Sequence, residues 1–327
     1  MKYKAYLVDE LDGVYSGSIK ELEMREILEG NVLIRVRYSS LNYKDALAAS
    51  GVKGVASSYP FVPVIDVAGE IIESSSDKFK TGDQVLATGY KIGMSVFGGF
   101  GELVQIPEDW VVPLPSNLSL VNAMSLGTAG LTAGACVKKV LDNNVTFDKP
   151  FLVSGATGGV GSIAVTLLSH LKFEVHAITG KPNEIDLLTQ MGVSNTIDRN
   201  EFMSEPVKAL DKAIYSGGID TVGGDILSKM LSMIESHGSV ACCGNVAGMK
   251  FTSSVFPFIL RGVSLIGIDS AESDINFKKE IWNLFSNEWS LDISDYSKIV
   301  TLDNIGDEIT KILQGKQIGR VVIKHGD

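Results

Sequence analysis

The stretch of residues 151–161 constrains the fold of this chain more than any other part of the sequence. It reads Phe-Leu-Val-Ser-Gly-Ala-Thr-Gly-Gly-Val-Gly and continues into an apolar run at 162–168. A short buried strand, a glycine-rich turn and an apolar helix follow one another, with Ala156 at the first position of an A-x-G-x-x-G spacing. Amides at such a helix end meet a phosphate without obstruction by Cβ atoms, so we predict that the turn binds a dinucleotide pyrophosphate. A tight turn without ligand is the alternative.

The pattern of predicted elements changes near residue 123. Before it, clusters of β-formers between turn residues predict strands of a compact, irregular barrel at 3–8, 32–38, 67–72, 84–88 and 101–107. After it, strands and helices alternate, which implies right-handed βαβ crossovers and a parallel sheet. The predicted helices there are 123–141, 159–171 and 224–236. Six strands are predicted from Phe151 onwards, at 151–153, 174–178, 196–198, part of 213–222, 238–243 and 263–268.

The last part of the chain follows this completed six-strand set. A helix is predicted at 276–289, and strands at 298–302 and 320–324 flank a helix at 305–313. Because six strands complete a dinucleotide-binding sheet, we expect these later elements to return to the first domain.

The end of the second predicted strand indicates which dinucleotide binds. An NAD site usually has Asp or Glu at this tip, where it holds the ribose 2′-hydroxyl. Here the strand ends in Ile-Thr179-Gly180-Lys181-Pro, without an acid. Thr179 can donate a hydrogen bond and Lys181 a positive charge to a 2′-phosphate, which an acid would repel. The sequence therefore favours NADPH, with a solvated turn lysine as the alternative interpretation of Lys181.

Further candidates lie at the same predicted sheet edge. Arg199 follows the third strand, Asn245 the fifth, and Asp269 and Ser270 the sixth. Open α/β sheets bind ligands at the carboxyl ends of their strands. The alternative for Arg199 is an ordinary surface arginine. The alternative for Asn245, Asp269 and Ser270 is that they only form turns.

Length, charge and cysteine content exclude several other classes. A chain of 327 residues is expected to form two domains with a cleft between them. The formal net charge of −10 disfavours nucleic acid as a partner, because binding to that polyanion needs clustered Lys and Arg. The charged N-terminal stretch 1–14 is unlike a secretory signal or a membrane span, and three cysteines make no disulfide framework. We expect a cytoplasmic protein without a membrane partner.

Several motifs together resemble the medium-chain dehydrogenase/reductase superfamily. Beside the glycine-rich turn they are Ser40-Leu-Asn42-Tyr43-Lys44-Asp45, Pro63-Val-Ile-Asp66-Val-Ala-Gly69, Gly82-Asp83-Gln-Val, Gly98-Gly99-Phe-Gly-Glu102, Gly127-Thr128-Ala-Gly130 and Pro257-Phe-Ile259-Leu-Arg261. The resemblance spans nearly the whole chain. Within the superfamily the sequence is most similar to the acryloyl-coenzyme A reductase-like branch, which includes proteins described as quinone oxidoreductases.

The resemblance implies an α/β fold, in which a doubly wound parallel Rossmann sheet accompanies a GroES-like, β-rich catalytic domain. The catalytic domain would comprise 1–123 and 270–327, the NADPH-binding domain 124–269, and the active site would lie in the cleft. A homodimer paired through the sheet edge at 263–268 is expected. The residues carried over as NADPH contacts are Tyr43, Ala156, Thr157, Gly158, Gly159, Val160, Thr179, Gly180, Lys181, Arg199, Asn245, Ile259, Asp269 and Ser270.

Departures from the zinc alcohol dehydrogenases of this superfamily predict that no metal is bound. Where those enzymes place a Cys ligand and then a His-Glu pair, this chain has Asn42 and Ile65-Asp66. Three cysteines cannot supply the four that hold structural zinc. The four histidines have no metal-like spacing and are expected on the surface or on helix faces.

Without a metal to polarise a carbonyl, hydride addition to a polarised alkene is the favoured reaction. The substrate expected from the resemblance is an enoyl thioester such as acryloyl-CoA. Tyr43 and Asp66 are the candidate catalytic residues. Tyr43 or a water would protonate the α-carbon; the alternative is that Tyr43 only packs on the nicotinamide. Asp66 would organise the polar pocket; the alternative is that it is only a buried hydrogen-bonded residue. Quinone reduction and a non-enzymatic NADPH sensor are the alternative functions.

Overall fold

A computed structural model describes residues 1–143 and 148–326 of the chain. The chain divides into two compact units. Unit 1 comprises Met1–Thr128 and Ser270–Asp327, and unit 2 comprises Ala129–Asp269. Thr128 and Ala129 are consecutive residues of one helix, so the chain passes from unit 1 to unit 2 without a linker.

The helices and strands of the described residues begin with a β-rich stretch. Up to the first long helix they are β1 (Lys2–Leu11), β2 (Val14–Glu23), β3 (Asn31–Leu41), α1 (Tyr43–Ala49), β4 (Asp66–Ser74), β5 (Gln84–Thr88), β6 (Leu103–Pro107), β7 (Val112–Pro113) and α2 (Leu120–Leu141). The remainder of unit 2 contains β8 (Phe151–Ser154), α3 (Gly159–His170), β9 (Val175–Thr179), α4 (Ile185–Gln190), β10 (Asn195–Asp198), α5 (Arg199–Phe202), β11 (Tyr215–Asp220), α6 (Gly224–Ser232), β12 (Ile234–Cys242), α7 (Phe256–Arg261) and β13 (Ser264–Gly267). The chain ends with α8 (Ile275–Ser286), β14 (Ser297–Val300), α9 (Ile305–Leu313) and β15 (Arg320–Lys324).

Unit 1 is built on a seven-stranded sheet in the order β14-β15-β3-β4-β5-β7, with β6 pairing to β3. The long strand β3 organises it, because β4, β6 and β15 all pair with β3 in antiparallel fashion. The pairing of β15 with β3 shows that the C-terminal strands join the N-terminal sheet, as the sequence predicted. This pairing also brings Arg320, at the start of β15, level with the end of β3.

Unit 2 contains a six-stranded parallel sheet in the order β10-β9-β8-β11-β12-β13. Counted from β8 this is the order 3-2-1-4-5-6 of a Rossmann sheet, so the predicted fold class is confirmed. All four residues of β8 are buried, as expected for a central strand covered on both faces. The order reverses at β8, and the turn that follows β8 is the glycine-rich one.

Apolar residues fill a separate core in each unit. In unit 1, Ile34, Ile71 and Ile106 from β3, β4 and β6 belong to one buried cluster. In unit 2, Leu152 of β8 packs with a cluster that includes Leu231 of α6. Fully burying such side chains is worth roughly 1.5–3 kcal/mol each, and this burial fixes the loops at the strand ends.

Helix α2 is interrupted at Gly127, whose φ of 53° and ψ of −154° are not helical. By length and composition α2 could cross a membrane, but 78% of its apolar window is buried within the protein. Such burial is that of a core helix. The break at Gly127 directs the backbone amide of Thr128 away from the helical pattern and towards a buried carboxylate of unit 1.

Two expectations about local structure were wrong, and one strand was missed. Strand β2 was not predicted, because its side chains are mostly exposed and lack a buried face, and it pairs only with β1. The helix expected at 224–236 ends at Ser232, since Ile234 already pairs with Tyr215 in the parallel sheet. His325 is buried rather than on a surface or helix face, and burial lowers its pKa to about 4.

Candidate functional site

Three glycines of the glycine-rich turn of unit 2 are needed for different reasons. Gly155 has a φ of 62°, and an added Cβ would lie 2.3 Å from Thr221 Oγ1. At Gly161 a Cβ would lie 2.2 Å from the Gly155 carbonyl oxygen, so helix and turn approach closely only because this side chain is absent. Gly158 is the N-cap of α3 and has no side chain with which to cap the helix. The first amides of this twelve-residue helix are therefore free to meet an anion.

The tip of β9 gathers polar and basic groups. The backbone amide of Lys181 donates to Thr179 Oγ1 over 3.0 Å, which closes a tight turn around Gly180. A Cβ on Gly180 would lie 2.9 Å from Arg199 Cζ, so the guanidinium group rests directly against this turn. Burial lowers the pKa of Lys181, and the nearby Glu184 opposes that effect. Two cations and a hydroxyl thus surround one turn, as the chemistry of a phosphate monoester requires.

The neighbouring acid does not occupy this turn. Asp198 is level with Thr179 in the parallel pair of β10 and β9, yet its carboxylate accepts the amides of Asn200 and Glu201 at 2.7 and 3.1 Å. Asp198 is the N-cap of α5, and its carboxylate is engaged there. The donor set at the β9 tip therefore fits the 2′-phosphate of NADPH better than the 2′-hydroxyl of NADH.

The loop after β12 lies at the same edge of the sheet. The amide of Ala247 donates to the Val222 carbonyl over 2.7 Å, and Gly223 forms a β-bridge with Gly248. Asn245, within this loop, is exposed. The turn after β11 in turn contacts the end of β8, because Thr221 Oγ1 donates to the Ser154 carbonyl over 2.8 Å.

A second group of polar residues surrounds Asp66 in unit 1. Asp66 begins β4 and is fully buried. Ser40 Oγ and Asn42 Nδ2 each donate to its Oδ2 over 2.7 Å. The Thr128 amide donates at 3.0 and 2.9 Å, and the Thr128 hydroxyl donates to Oδ1 over 2.5 Å. A carboxylate has about four lone-pair positions, so these four donors leave Asp66 saturated.

Two further ionisable residues are buried close to Asp66. Asp45 accepts the amides of Asn42 and Ile65 at 2.8 and 3.1 Å, and burial together with the charge of Asp66 raises its pKa to about 7. Arg320 Nη2 lies 3.9 Å from Asp66 Oδ2, and both side chains are almost completely buried. Burial lowers the pKa of Arg320, while the two carboxylates oppose that effect.

The predicted site residues fall into three sets. Thr179, Gly180, Lys181 and Arg199 are brought together, and the glycine-rich turn and the Asn245 loop share their sheet edge. Ile259 lies on α7 and is 69% exposed, next to other exposed apolar residues. The third set belongs to unit 1, where Tyr43 is the first residue of α1 and is 38% exposed. Ser270 is also part of unit 1, whereas Asp269 is the last residue of unit 2.

Sequence reasoning missed the partners of Asp66. Ser40, Asn42 and Thr128 stand within motifs that were recognised, but nothing in their spacing showed that they converge on one carboxylate. The sequence marks Arg320 only as the first residue of a predicted strand. An arginine directly before an apolar run, as in Arg-Val-Val-Ile, is the one signal that was present.

Sequence comparison places the chain beside known oxidoreductases. Residues 28–116 match the family described as Alcohol dehydrogenase GroES-like domain, and residues 159–287 match Zinc-binding dehydrogenase. The protein named "Putative quinone oxidoreductase YhfP" of Bacillus subtilis is 40% identical over 94% of both chains. Acrylyl-CoA reductase AcuI of Ruegeria pomeroyi is 37% identical over 96% of both chains.

Structural comparison also matches oxidoreductases, YhfP among them. The yhdH oxidoreductase of Salmonella enterica in complex with NADP has a TM-score of 0.94 at 35% identity, and covers 100% of both chains. The structure of YhfP with NAD bound has a TM-score of 0.96 at 38% identity, covering 99% of this chain and 100% of that one. Although one matched description refers to zinc, no group of three or more His, Cys, Asp or Glu side chains is placed to hold a metal within 1–143 and 148–326.

Proposed function

Because the chain belongs to the medium-chain dehydrogenase/reductase superfamily, in its acryloyl-CoA reductase-like branch, we propose that it reduces the activated carbon–carbon double bond of an enoyl thioester. The protein is an NADPH-dependent oxidoreductase. Its own residues agree with that cofactor, since the β9 tip carries no acid, Lys181 follows it and Arg199 lies against Gly180 of the same turn. This basic turn supports the coenzyme part of the proposal, and the likeness to acrylyl-CoA reductases supports the thioester part.

The residues of unit 2 have separate tasks in binding. The free amides at the start of α3, from Gly159 and Val160, would hold the pyrophosphate. Thr179, Lys181 and Arg199 would hold the 2′-phosphate, each through a charged or charge-assisted hydrogen bond. NADPH, when bound, supplies the hydride that is added to the β-carbon of the acceptor.

Asp66 is suited to holding its neighbours in place and not to moving a proton. Its carboxylate already accepts four donors and has no exposed surface, so proton transfer would require at least one of these hydrogen bonds to break. We therefore assign it the organisation of the polar cluster. The proton for the α-carbon would come from the exposed hydroxyl of Tyr43 or from a water.

Two other functions remain to be separated from this one by experiment. Quinone reduction is suggested by the name of the relative YhfP, and it also requires no metal. A sensor would bind NADPH but turn over no acceptor. A cytoplasmic location also stays a prediction.

The test compares acceptors under one concentration of NADPH, with NADH in a parallel arm. We expect acryloyl-CoA to give a higher kcat/KM than 1,2-naphthoquinone, because kcat/KM reports differential stabilisation of the transition state. A preference for the quinone would contradict the thioester assignment. Stoichiometric NADPH binding with no oxidation by any acceptor would identify a sensor instead.

We also propose that the protein is a homodimer paired through β13. This strand is the edge of its sheet, and exposed apolar residues cluster nearby in sequence: Val246, Met249, Val255, Ile259 and Leu260. An unpaired strand edge beside exposed apolar side chains favours association. Gel filtration should give twice the chain mass of 35.0 kDa, and Leu260→Asp should shift it towards that of one chain. Elution of the unaltered protein at 35.0 kDa would refute the dimer.

A further inference from the structure

Arg320 contacts the two residues that directly precede Tyr43. Its Nη1 lies 3.3 Å from the Leu41 carbonyl oxygen and 3.2 Å from Asn42 Oδ1, and donates to both. Its Nε donates to the Ser125 carbonyl over 3.0 Å. The planar guanidinium group therefore joins β15, the end of β3 and α2, and it does so immediately before the helix that begins with Tyr43.

Asn42 is held at every polar atom of its side chain. Its Nδ2 donates to Asp66 Oδ2 over 2.7 Å and to the Ser40 carbonyl over 3.2 Å. Its Oδ1 accepts from Arg320, and its backbone amide donates to Asp45. A carboxylate and a carbonyl accept only, and a guanidinium donates only, so the amide has one permitted orientation. Asn42 is thus fixed in rotation and in position, and Tyr43 follows it in the chain.

Burying the charge of Arg320 costs desolvation free energy, so a contribution to stability alone does not explain its position. Arg320 is 2% exposed and cannot lose its proton under ordinary conditions. Its Nη2 is buried without a hydrogen-bond partner, at 3.9 Å from Asp66 Oδ2. A buried ion pair of that length recovers only part of its desolvation cost. The well-formed contacts of Arg320 are those to Leu41, Asn42 and Ser125.

We propose that Arg320 is a positioning residue of the reductase site, acting through Asn42 to fix the place and orientation of Tyr43. This inference rests on the proposed function, in which Tyr43 contacts the cofactor or the substrate. Arg320 itself touches neither. Its contribution is the rigidity of the first residue of α1, on which the geometry of the exposed tyrosine ring depends.

A double-mutant cycle separates this role from a general contribution to folding. Arg320→Lys keeps the charge and loses the planar fork of donors, and Tyr43→Ala removes the group through which Arg320 is proposed to act. We expect Arg320→Lys to lower kcat about tenfold, as outer contacts that orient a reacting group commonly do. In the Tyr43→Ala background the same substitution should lower kcat by less than about twofold.

Lys278→Met is the matched control. Lys278 is also a buried cation of unit 1, 1% exposed, and donates to the carbonyls of Thr88 and Ala271 at 2.7 and 2.8 Å. Its loss should lower the unfolding temperature, and any effect on kcat should be the same with and without Tyr43→Ala. If Arg320→Lys does not fold, Asn42→Ala tests the same contact from its other partner, which is half-buried. Its effect on kcat should also be smaller in the Tyr43→Ala background than in the unaltered protein.

The outcomes are distinguishable. Equal effects of Arg320→Lys, or of Asn42→Ala, in both backgrounds would overturn the positioning role while leaving the reductase assignment intact. The same coupling for Lys278→Met would overturn it too, because the coupling would then reflect only loosened packing. No turnover by the unaltered protein with any acceptor would refute the proposed function, and this role with it.

Discussion

Gly127→Ala is predicted to destabilise unit 1 by an amount that can be worked out from two separate effects. Its φ of 53° and ψ of −154° lie in a region that is essentially open to glycine alone, where another residue costs about 1–3 kcal/mol. The new Cβ would lie 2.4 Å from Ser40 Oγ and 2.5 Å from Asp66 Oδ2. Overpacking of this kind costs a further 1–3 kcal/mol or so. We expect a total loss of about 2–6 kcal/mol in unfolding free energy.

The assay can report on unit 1 alone. The chain has three tryptophans, and Trp110, Trp282 and Trp289 all belong to unit 1, so denaturation followed by tryptophan fluorescence measures the unfolding of that unit. Gly82→Ala is the control, because Gly82 also has a positive φ, 94°, but nothing lies within 4 Å of its Cβ position. Gly82→Ala should therefore show the backbone strain without the clash.

The two glycines give a result that can contradict this reasoning. Gly127→Ala should cost about 1–3 kcal/mol more than Gly82→Ala, which is the overpacking part. Gly127→Ala should cost less in a Ser40→Ala background than in the unaltered protein, since Ser40→Ala removes the nearest atom. Equal losses for the two glycine variants would mean that the contacts of Gly127 with Ser40 and Asp66 are not tight.

Two further predictions concern charged residues. Burial and the neighbouring Asp66 raise the pKa of Asp45 to about 7, so the folded state holds this proton more tightly than the unfolded state does. The stability that this group contributes is present at acid pH and is lost as pH rises through about 7. Asp45→Asn should flatten that loss when the unfolding temperature is measured against pH. An unchanged dependence of unfolding temperature on pH would contradict the prediction. Lys181→Gln should raise the Kd for NADPH about 10-fold or more and leave the Kd for NADH within about twofold, by fluorescence titration. Lys212→Gln is its control, because Lys212 is exposed and precedes β11, at the opposite edge of the sheet. Equal effects on both coenzymes would remove Lys181 from the 2′-phosphate site.

The parts of the fold that the sequence predicts are those governed by local pattern. Strand β8, its glycine turn and α3 were predicted to within one residue, because burial, glycine and apolar periodicity all agree there. The exposed hairpin strand β2 was missed since its pairing with β1 leaves no alternation of buried and exposed residues. The end of α6 was misjudged because tertiary pairing of Ile234 overrides a continuing helical pattern.

The residues proposed to bind the nucleotide were within reach of sequence reasoning for a similar reason. Thr179 and Lys181 lie two residues apart, and Arg199 follows the adjacent strand, so parallel pairing alone brings them to one edge. The contacts of Arg320 with Leu41 and Asn42 depend on antiparallel pairing between β3 and β15, whose positions in the chain are far apart. No spacing rule connects Arg320 with Asn42, and only the folded sheet reveals that they touch.

The buried ionisable residues of unit 1 contribute something that its buried apolar residues do not. Apolar side chains of similar volume in place of Asp45, Asp66 and Arg320 would fill the same space without the cost of desolvating three charged groups. Such a core would not, however, orient Asn42, because only a donor on one side and acceptors on the other distinguish the two ends of an amide. The polar groups thus specify one arrangement of the chain before Tyr43, where an apolar core would tolerate several. This difference supports the proposal that the cluster positions Tyr43 and does not serve the stability of the fold alone.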